Sequence, residues 1–389
     1  MPSTTRRQLL AASVASSLLA GCLTGSRPDG SFESVDGRWP MDGRDSGHSR
    51  RAGDAPSDPD PVWQRSLDGV RAVGPPALTD GRLYVPADAV TEESRSRYRL
   101  YALDATTGDT RWQVPLRVEP NGSPAVAPDQ IIVSGKRSLE RGRVVCFRPK
   151  YGDEEWLYDI DARLTAPPTV ANGMVYVGDW AGRVHALGAL SGDVRWTQQI
   201  DADDGGREFT TAVAVDDGTA YLGSLAGNTG IVALDADSGE EQWRASTGPV
   251  TVGPVVDDGL VVVQSHGLVS AFGAGGGERW TFNVPAESSR PMAVDSEHVY
   301  VAGEETLYAI DRSGGAGWRD SGAEGDPGTP TVAGESVLLR SENRLRALST
   351  ADGSEKWTAT PAGNGDPVVV PEGVFLPSSG GRLLALGEN

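Results

Sequence analysis

The residues of this 389-residue chain that could do chemistry are four histidines, two cysteines and a few clustered charges. His48, His185, His266 and His298 have no close metal-ligand spacing, so no metal site is expected from them. Cys22 and Cys146 stand far apart and can build neither a disulfide framework nor a Cys-rich metal centre. Asp235-Ala-Asp237-Ser-Gly239-Glu240 hints at a calcium loop, but related hairpins recur in the chain without the second aspartate, so turn formation accounts for it. Phosphate-cradling glycine loops and nucleophile-elbow serines are absent, and no catalytic residue is assigned. What remains is charge. The net charge is -19, with lysine only at Lys136, Lys150 and Lys356. Against that background two short stretches are basic: Arg95, Arg97 and Arg99 in one, Lys136, Arg137, Arg141 and Arg143 in the other. They form either a site for an anionic partner or loops paired internally with Glu92, Glu93 and Glu140. The acidic total argues against nucleic acid, whose phosphates call for a positive face.

The amino terminus carries an address. Arg6 and Arg7 precede an apolar run ending near Ala20, the pattern of a twin-arginine export signal. The run is too short to cross a bilayer, which takes about 20 residues. Leu19-Ala20-Gly21-Cys22 follows and resembles a lipoprotein processing box. The expectation is cleavage before Cys22, a lipid on its sulfur and a cell-membrane location on the extracytoplasmic side. Residues 1–21 are then the signal, 22–38 a flexible polar tether, and 39–60 a lead-in segment. The acid-rich, lysine-poor balance resembles halophilic proteins, in which carboxylates hold water and cations at high ionic strength.

The elements that must position any site come from a repeat. From Gly74 onward the chain reads as short alternating strands in fours, each third strand ending in a small residue: Ala102, Cys146, Ala186, Ala233, Ala271, Ala309, Ala347 and Ala385. A hairpin with glycine follows, then a tryptophan. The tryptophans are Trp63, Trp112, Trp156, Trp196, Trp243, Trp280, Trp318 and Trp357. Ala385 has no tryptophan after it and Trp63 has no small residue before it. Pro61 to Leu67 is therefore expected to be the outer strand that the carboxy terminus lacks, closing a ring and removing an exposed edge. Cys146 fills a small-residue slot and reads as a packed core thiol. The fold expected over residues 61–389 is all-β, an eight-bladed propeller of four-stranded blades with the last blade closed by an N-terminal strand. A β-helix or open solenoid would not divide one unit between the two ends.

The signature Ala102, Asp104, Thr107, Gly108, Trp112 is similar to the tryptophan-docking motif of the quinoprotein, or PQQ-like, repeat family. That resemblance covers roughly Pro61 to Asn389. It implies two roles. One is a PQQ- or sugar-directed oxidoreductase with calcium, whose cofactor is covered by adjacent cysteines; this chain has no such pair, so neither PQQ nor calcium is expected. The other resembles the propeller lipoprotein of outer-membrane barrel assembly, a monomeric non-enzymatic scaffold whose partner would be an extracytoplasmic protein or ligand. Because Ala87 to Arg99, Ser134 to Arg143, Asp201 to Phe209 and Gly223 to Gly230 all interrupt connections on one side of the ring, binding is expected on that face. Arg95, Arg97, Arg99, Arg137, Arg141 and Arg143 are its candidate residues.

Overall fold

The computed structural model describes residues 28–89, 97–201, 208–285, 290–322, 327–360, 363 and 365–388. Arg6, Arg7, Cys22, Glu92, Glu93 and Arg95 lie outside the described residues. Eight small sheets, antiparallel except where Arg51–Ala52 adds a parallel strand to blade seven, form the expected propeller. Blade three shows the plan: Thr169–Ala171 innermost, then Met174–Gly178, Arg183–Gly188 and Val194–Gln199 outermost. Blade eight is assembled from both ends of the chain. Asp60–Ser66 pairs with Arg382–Gly387, placing Trp63 opposite Ala385.

In four blades the first hairpin turns on two residues of positive φ, Asp80-Gly81, Asn172-Gly173, Asp217-Gly218 and Asp258-Gly259. Those φ values suit the twist of a tight hairpin. In seven blades the small residue of the third strand is the cross-strand partner of the tryptophan, as in Ala102 with Trp112, Cys146 with Trp156 and Ala186 with Trp196. The register shifts immediately after it. The indole then reaches the next blade. Trp156 Nε1 donates to Ala189 O at 3.0 Å, and Trp196 Nε1 to Ala236 O at 3.0 Å. The ring lies flat on the hairpin glycine of that blade. A Cβ on Gly192 would sit 2.6 Å from Trp156, and one on Gly239 2.7 Å from Trp196. Apolar clusters accordingly span pairs of neighbouring blades, for instance Ile132 and Val144 of blade two with Val175 and Leu187 of blade three. Burial between blades is what holds the ring together.

The tether expectation needs correction from Pro28 onward. Gly30 N donates to Val62 O at 2.8 Å, Gln64 N donates to Pro28 O, and Phe32 packs on Phe375 with ring centroids 5.7 Å apart. Few residues here are apolar, but Phe32, Val35 and Trp39 all meet the core around blade eight and blade one. The lead-in segment is ordered as well, and it runs through the middle of the ring. Asp36 N and Gly37 N donate to the Glu372 carboxylate of blade eight. Trp39 exchanges two backbone bonds with Leu78 of blade one. Pro40 O, Ser46 O, Gly47 O, Ser49 O and Arg50 O then accept from Val126, Val215, Val256, Val294 and Val332, the inner strands of blades two, four, five, six and seven. Blade three is met by a side chain, His48 Nε2 to Thr169 Oγ1 at 2.9 Å.

Candidate functional site

The face carrying the longer connections holds a cationic groove between blades one and two. It has a volume of about 870 Å³ and is lined by Arg97, Arg117, Lys136, Arg137 and Arg163 around a floor that includes Leu116 and Val118. Among the described residues the only carboxylate in the lining is Glu119. Blade one supplies Arg97 from the residue preceding Tyr98–Asp104, and blade two supplies Lys136 at the end of Gln130–Lys136. Arg117 and Arg163 come from the segments that follow the outer strands of blades one and two. The stretch Ser134 to Arg143 is less a loop than an extended hairpin, because Ser134, Gly135 and Lys136 stay paired with Val144, Arg143 and Gly142. Its turn lifts Leu139 to 82% exposure at the groove rim.

The basic residues separate by environment. Arg143 is buried and clamps Asp159 through two bonds of 2.6 and 3.0 Å, so it braces blade two instead of facing a partner. That clamp holds the Asp159 carboxyl below its ordinary range. Arg137 adds a 3.2 Å bond to the same carboxylate, and Arg141 lies 3.4 Å from Asp161. Arg97 forms a two-point pair with Asp88, which holds that carboxyl down and the guanidinium up. Arg99 is partly buried, with its Nε lacking a hydrogen-bond partner. Lys136 bonds Glu119 at 3.2 Å. Internal pairing is therefore real, and among the described residues its acids are Asp88, Glu119, Asp159 and Asp161. Sequence reasoning missed Arg117 and Arg163. Arg163 stacks on Trp180 at 4.0 Å, and its Nε is buried without a partner; Trp180 in turn donates to Thr165 Oγ1 at 2.6 Å. Trp180 stands outside the docking series, which was the available signal.

Other candidates are absorbed by structure. The Cys146 thiol is fully buried and pushed up to about 12 by burial and then by Glu155. Asp235 accepts from Asp237 N, Ser238 N and Ser238 Oγ, so its carboxylate closes the turn. His185 bonds Asp179 at 3.1 Å inside blade three. At the ring axis a cavity of about 140 Å³ lies over the lead-in, lined by Asp42, His48 and Arg50 below and by residues such as Pro167, Thr211 and Pro254 around it. Arg50 sits between Asp42 at 3.8 Å and Asp366 at 3.6 Å. Among the described residues no three His, Cys, Asp or Glu converge as a metal site.

An eight-bladed ring in which seven tryptophans lie on the hairpin glycine of the next blade defines a PQQ-like repeat propeller. Residues 55–137, 96–204, 181–267 and 265–388 match the family described as outer membrane protein assembly factor BamB, and the chain belongs to that family. It is 26% identical over 259 residues to the BamB of Nitrosomonas eutropha, covering 63% of this chain and 59% of that protein. It is likewise 26% identical over 313 residues to the BamB of Burkholderia pseudomallei, covering 75% and 78%. The quinohemoprotein alcohol dehydrogenase of Comamonas testosteroni is 27% identical over 223 residues, 51% of this chain and 29% of that protein. The chain thus spans about three fifths of the N. eutropha relative and under a third of the dehydrogenase. Among solved structures, BamB from Moraxella catarrhalis superposes with a TM-score of 0.67 at 16% identity, covering 85% of this chain and 98% of that one. The C. testosteroni dehydrogenase gives 0.70 at 16%, covering 90% and 81%. These structural likenesses concern the fold alone.

Proposed function

We propose that the protein is a non-enzymatic scaffold, held at the extracytoplasmic side of the cell membrane by a lipid on Cys22, that docks a partner protein on the groove between blades one and two. The observation that carries this reading is the groove itself: among the described residues five cationic side chains and one carboxylate line it, on a chain of net charge -19. The BamB relatives, named as assembly factors, support a role in holding other proteins. At high salt, exposed charges are screened within a few Å, so recognition would rest on short bidentate arginine contacts and on the apolar floor. Leu139 at the rim supplies an exposed apolar contact.

Site-specific crosslinking tests the reading. A photoreactive residue at position 139 should give a discrete protein adduct in native membranes at high salt. Serine at Arg117, Lys136, Arg137 and Arg163 together should abolish that adduct. The same probe at position 190, where Leu190 is 76% exposed on a hairpin of the opposite face, should give none. Adducts from position 190 alone would show that the partner uses the other face.

A further inference from the structure

The innermost strand of every blade is an edge, and its outward-pointing amides must find partners at the axis. Here the partners come from the chain's own lead-in. It meets blade eight at Glu372 and blade one at Leu78, crosses to Val126 of blade two, takes blades four and five at Ser46 and Gly47, sends the His48 side chain back to blade three, and reaches blades six and seven at Ser49 and Arg50. His48 is nearly buried, and its ring also bonds Asp42 O at 2.7 Å and Val213 O at 3.1 Å, tying the loop of the lead-in to blade four. The circuit ends with Arg51 and Ala52 pairing in parallel with Val332 and Ala333.

The fit is close enough to dictate residue types. A Cβ on Gly47 would lie 2.2 Å from Val256 O, and one on Gly37 would lie 2.4 Å from Val370 Cβ. Gly43 adopts φ +66°, and a Cβ there would lie 2.6 Å from His48 Cα. Trp39 and the Arg50 side chain are almost fully buried, with the guanidinium 5.9 Å from the indole and its Nε donating to Pro330 O. The space left over the segment is about 140 Å³. Sites for drug-sized ligands run to roughly 300–1,000 Å³. A tricyclic quinone with three carboxylates does not fit there. The charges at hand are two acids sharing one guanidinium, a poor match for a tricarboxylate.

We propose that residues 36–52 are a built-in axial ligand: they occupy the ring axis, where quinoprotein propellers hold PQQ and calcium, so that in this chain the axis binds polypeptide and not cofactor. This inference is independent of the groove between blades one and two, which lies off the axis.

The test uses the full chain, with a protease site placed between the exposed Ser57 and Asp58 and cut after folding. The N-terminal piece should stay with the ring through gel filtration, and Gly47→Val should speed its loss by at least about tenfold, as overpacking against a backbone carbonyl predicts. Free dissociation of the wild-type piece, or retention unaffected by Gly47→Val, would overturn the proposal. Two measurements on the uncut wild-type protein stand apart from any folding defect of the variant. Hydrogen exchange should be slow at the Val126, Val215, Val256, Val294 and Val332 amides; rapid exchange there would mean the seat is not occupied. Added PQQ with calcium should pass through desalting without being retained, and one retained equivalent would refute axial exclusion.

Discussion

Replacing Gly192 by alanine drives a methyl group into the indole of Trp156, while the same change at Gly173 meets open space. The two glycines have nearly equal backbone conformations, φ +71° and +75°. Each alanine therefore bears a similar left-handed strain of about 1–2 kcal/mol. Only Gly192 has the neighbouring ring, with Cδ2, Cε3 and Cγ of Trp156 at 2.6, 2.7 and 2.9 Å from the added Cβ. Neither the indole, bonded to Ala189 O, nor the hairpin can yield without losing contacts. Overpacking of this kind costs about 1–3 kcal/mol more. Gly192→Ala should thus destabilise by roughly 2–5 kcal/mol and Gly173→Ala by roughly 1–2. Urea denaturation at fixed high salt would compare the midpoints. In a Trp156→Ala background the Gly192 cost should fall to the Gly173 value, a non-additivity expected only of touching groups. Equal costs for the two glycines in the wild-type background would refute the docking argument.

Three further outcomes are expected. Asp179 is fully buried; burial pushes its carboxyl up, but hydrogen bonds from His185 and the Arg183 amide outweigh this and leave it below its ordinary value. A depressed folded value means that its stabilisation is present above the unfolded value, about 4, and is lost as the pH falls through the folded one. The midpoint gap between wild type and Asp179→Asn should narrow as pH is lowered through that range, and a constant gap from neutral to acid pH would contradict the assignment. The Cys146 thiol, held near 12, should resist iodoacetamide at mildly alkaline pH and react only on unfolding; rapid labelling of the native protein would show it to be accessible. Cys22→Ser should move the protein from the membrane to the soluble fraction, and an unchanged membrane fraction would remove the lipid from the account.

What was legible in the sequence was whatever repeats. Spacing of small residues and tryptophans gives the blade count, and the unpaired Trp63 and Ala385 give the closure, because both follow from a unit that must pack identically against its neighbours. The groove was only half legible. Arg97 and Arg137 were found as a charge cluster, but their partners Asp88 and Asp159 are set by strand pairing across the blade, which local sequence does not display. Arg163 belongs to no basic cluster in the sequence, and it is held at the groove by stacking on Trp180 of blade three. The lead-in was least legible of all. Met41 to Arg51 is polar and without period, and its conformation is imposed by inner strands of blades far along the chain.

The same long-range dependence explains how the seam at blade eight is held. In seven blades a continuous hairpin gives the preceding tryptophan a glycine to lie on, from Trp63 on Gly108 to Trp318 on Gly353. Blade eight has no such hairpin, because its third and outer strands belong to opposite ends of the chain. Three contacts stand in for the missing covalent link. Glu388 accepts from both N and Oγ of Ser57, bringing the two ends together where the turn would be. Phe32 covers the backbone there, so that a Cβ on Gly387 would lie 2.4 Å from its ring. Pro28 to Gly30 then adds backbone bonds outside the closing strand, covering an edge that would otherwise be open to a neighbouring molecule. Since the residues that reinforce the seam lead directly into those that fill the axis, ring closure and axial sealing are accomplished by one continuous segment. A pull on the chain from its N-terminal side is therefore met first at the seam of blade eight and then by hydrogen bonds shared around the whole ring.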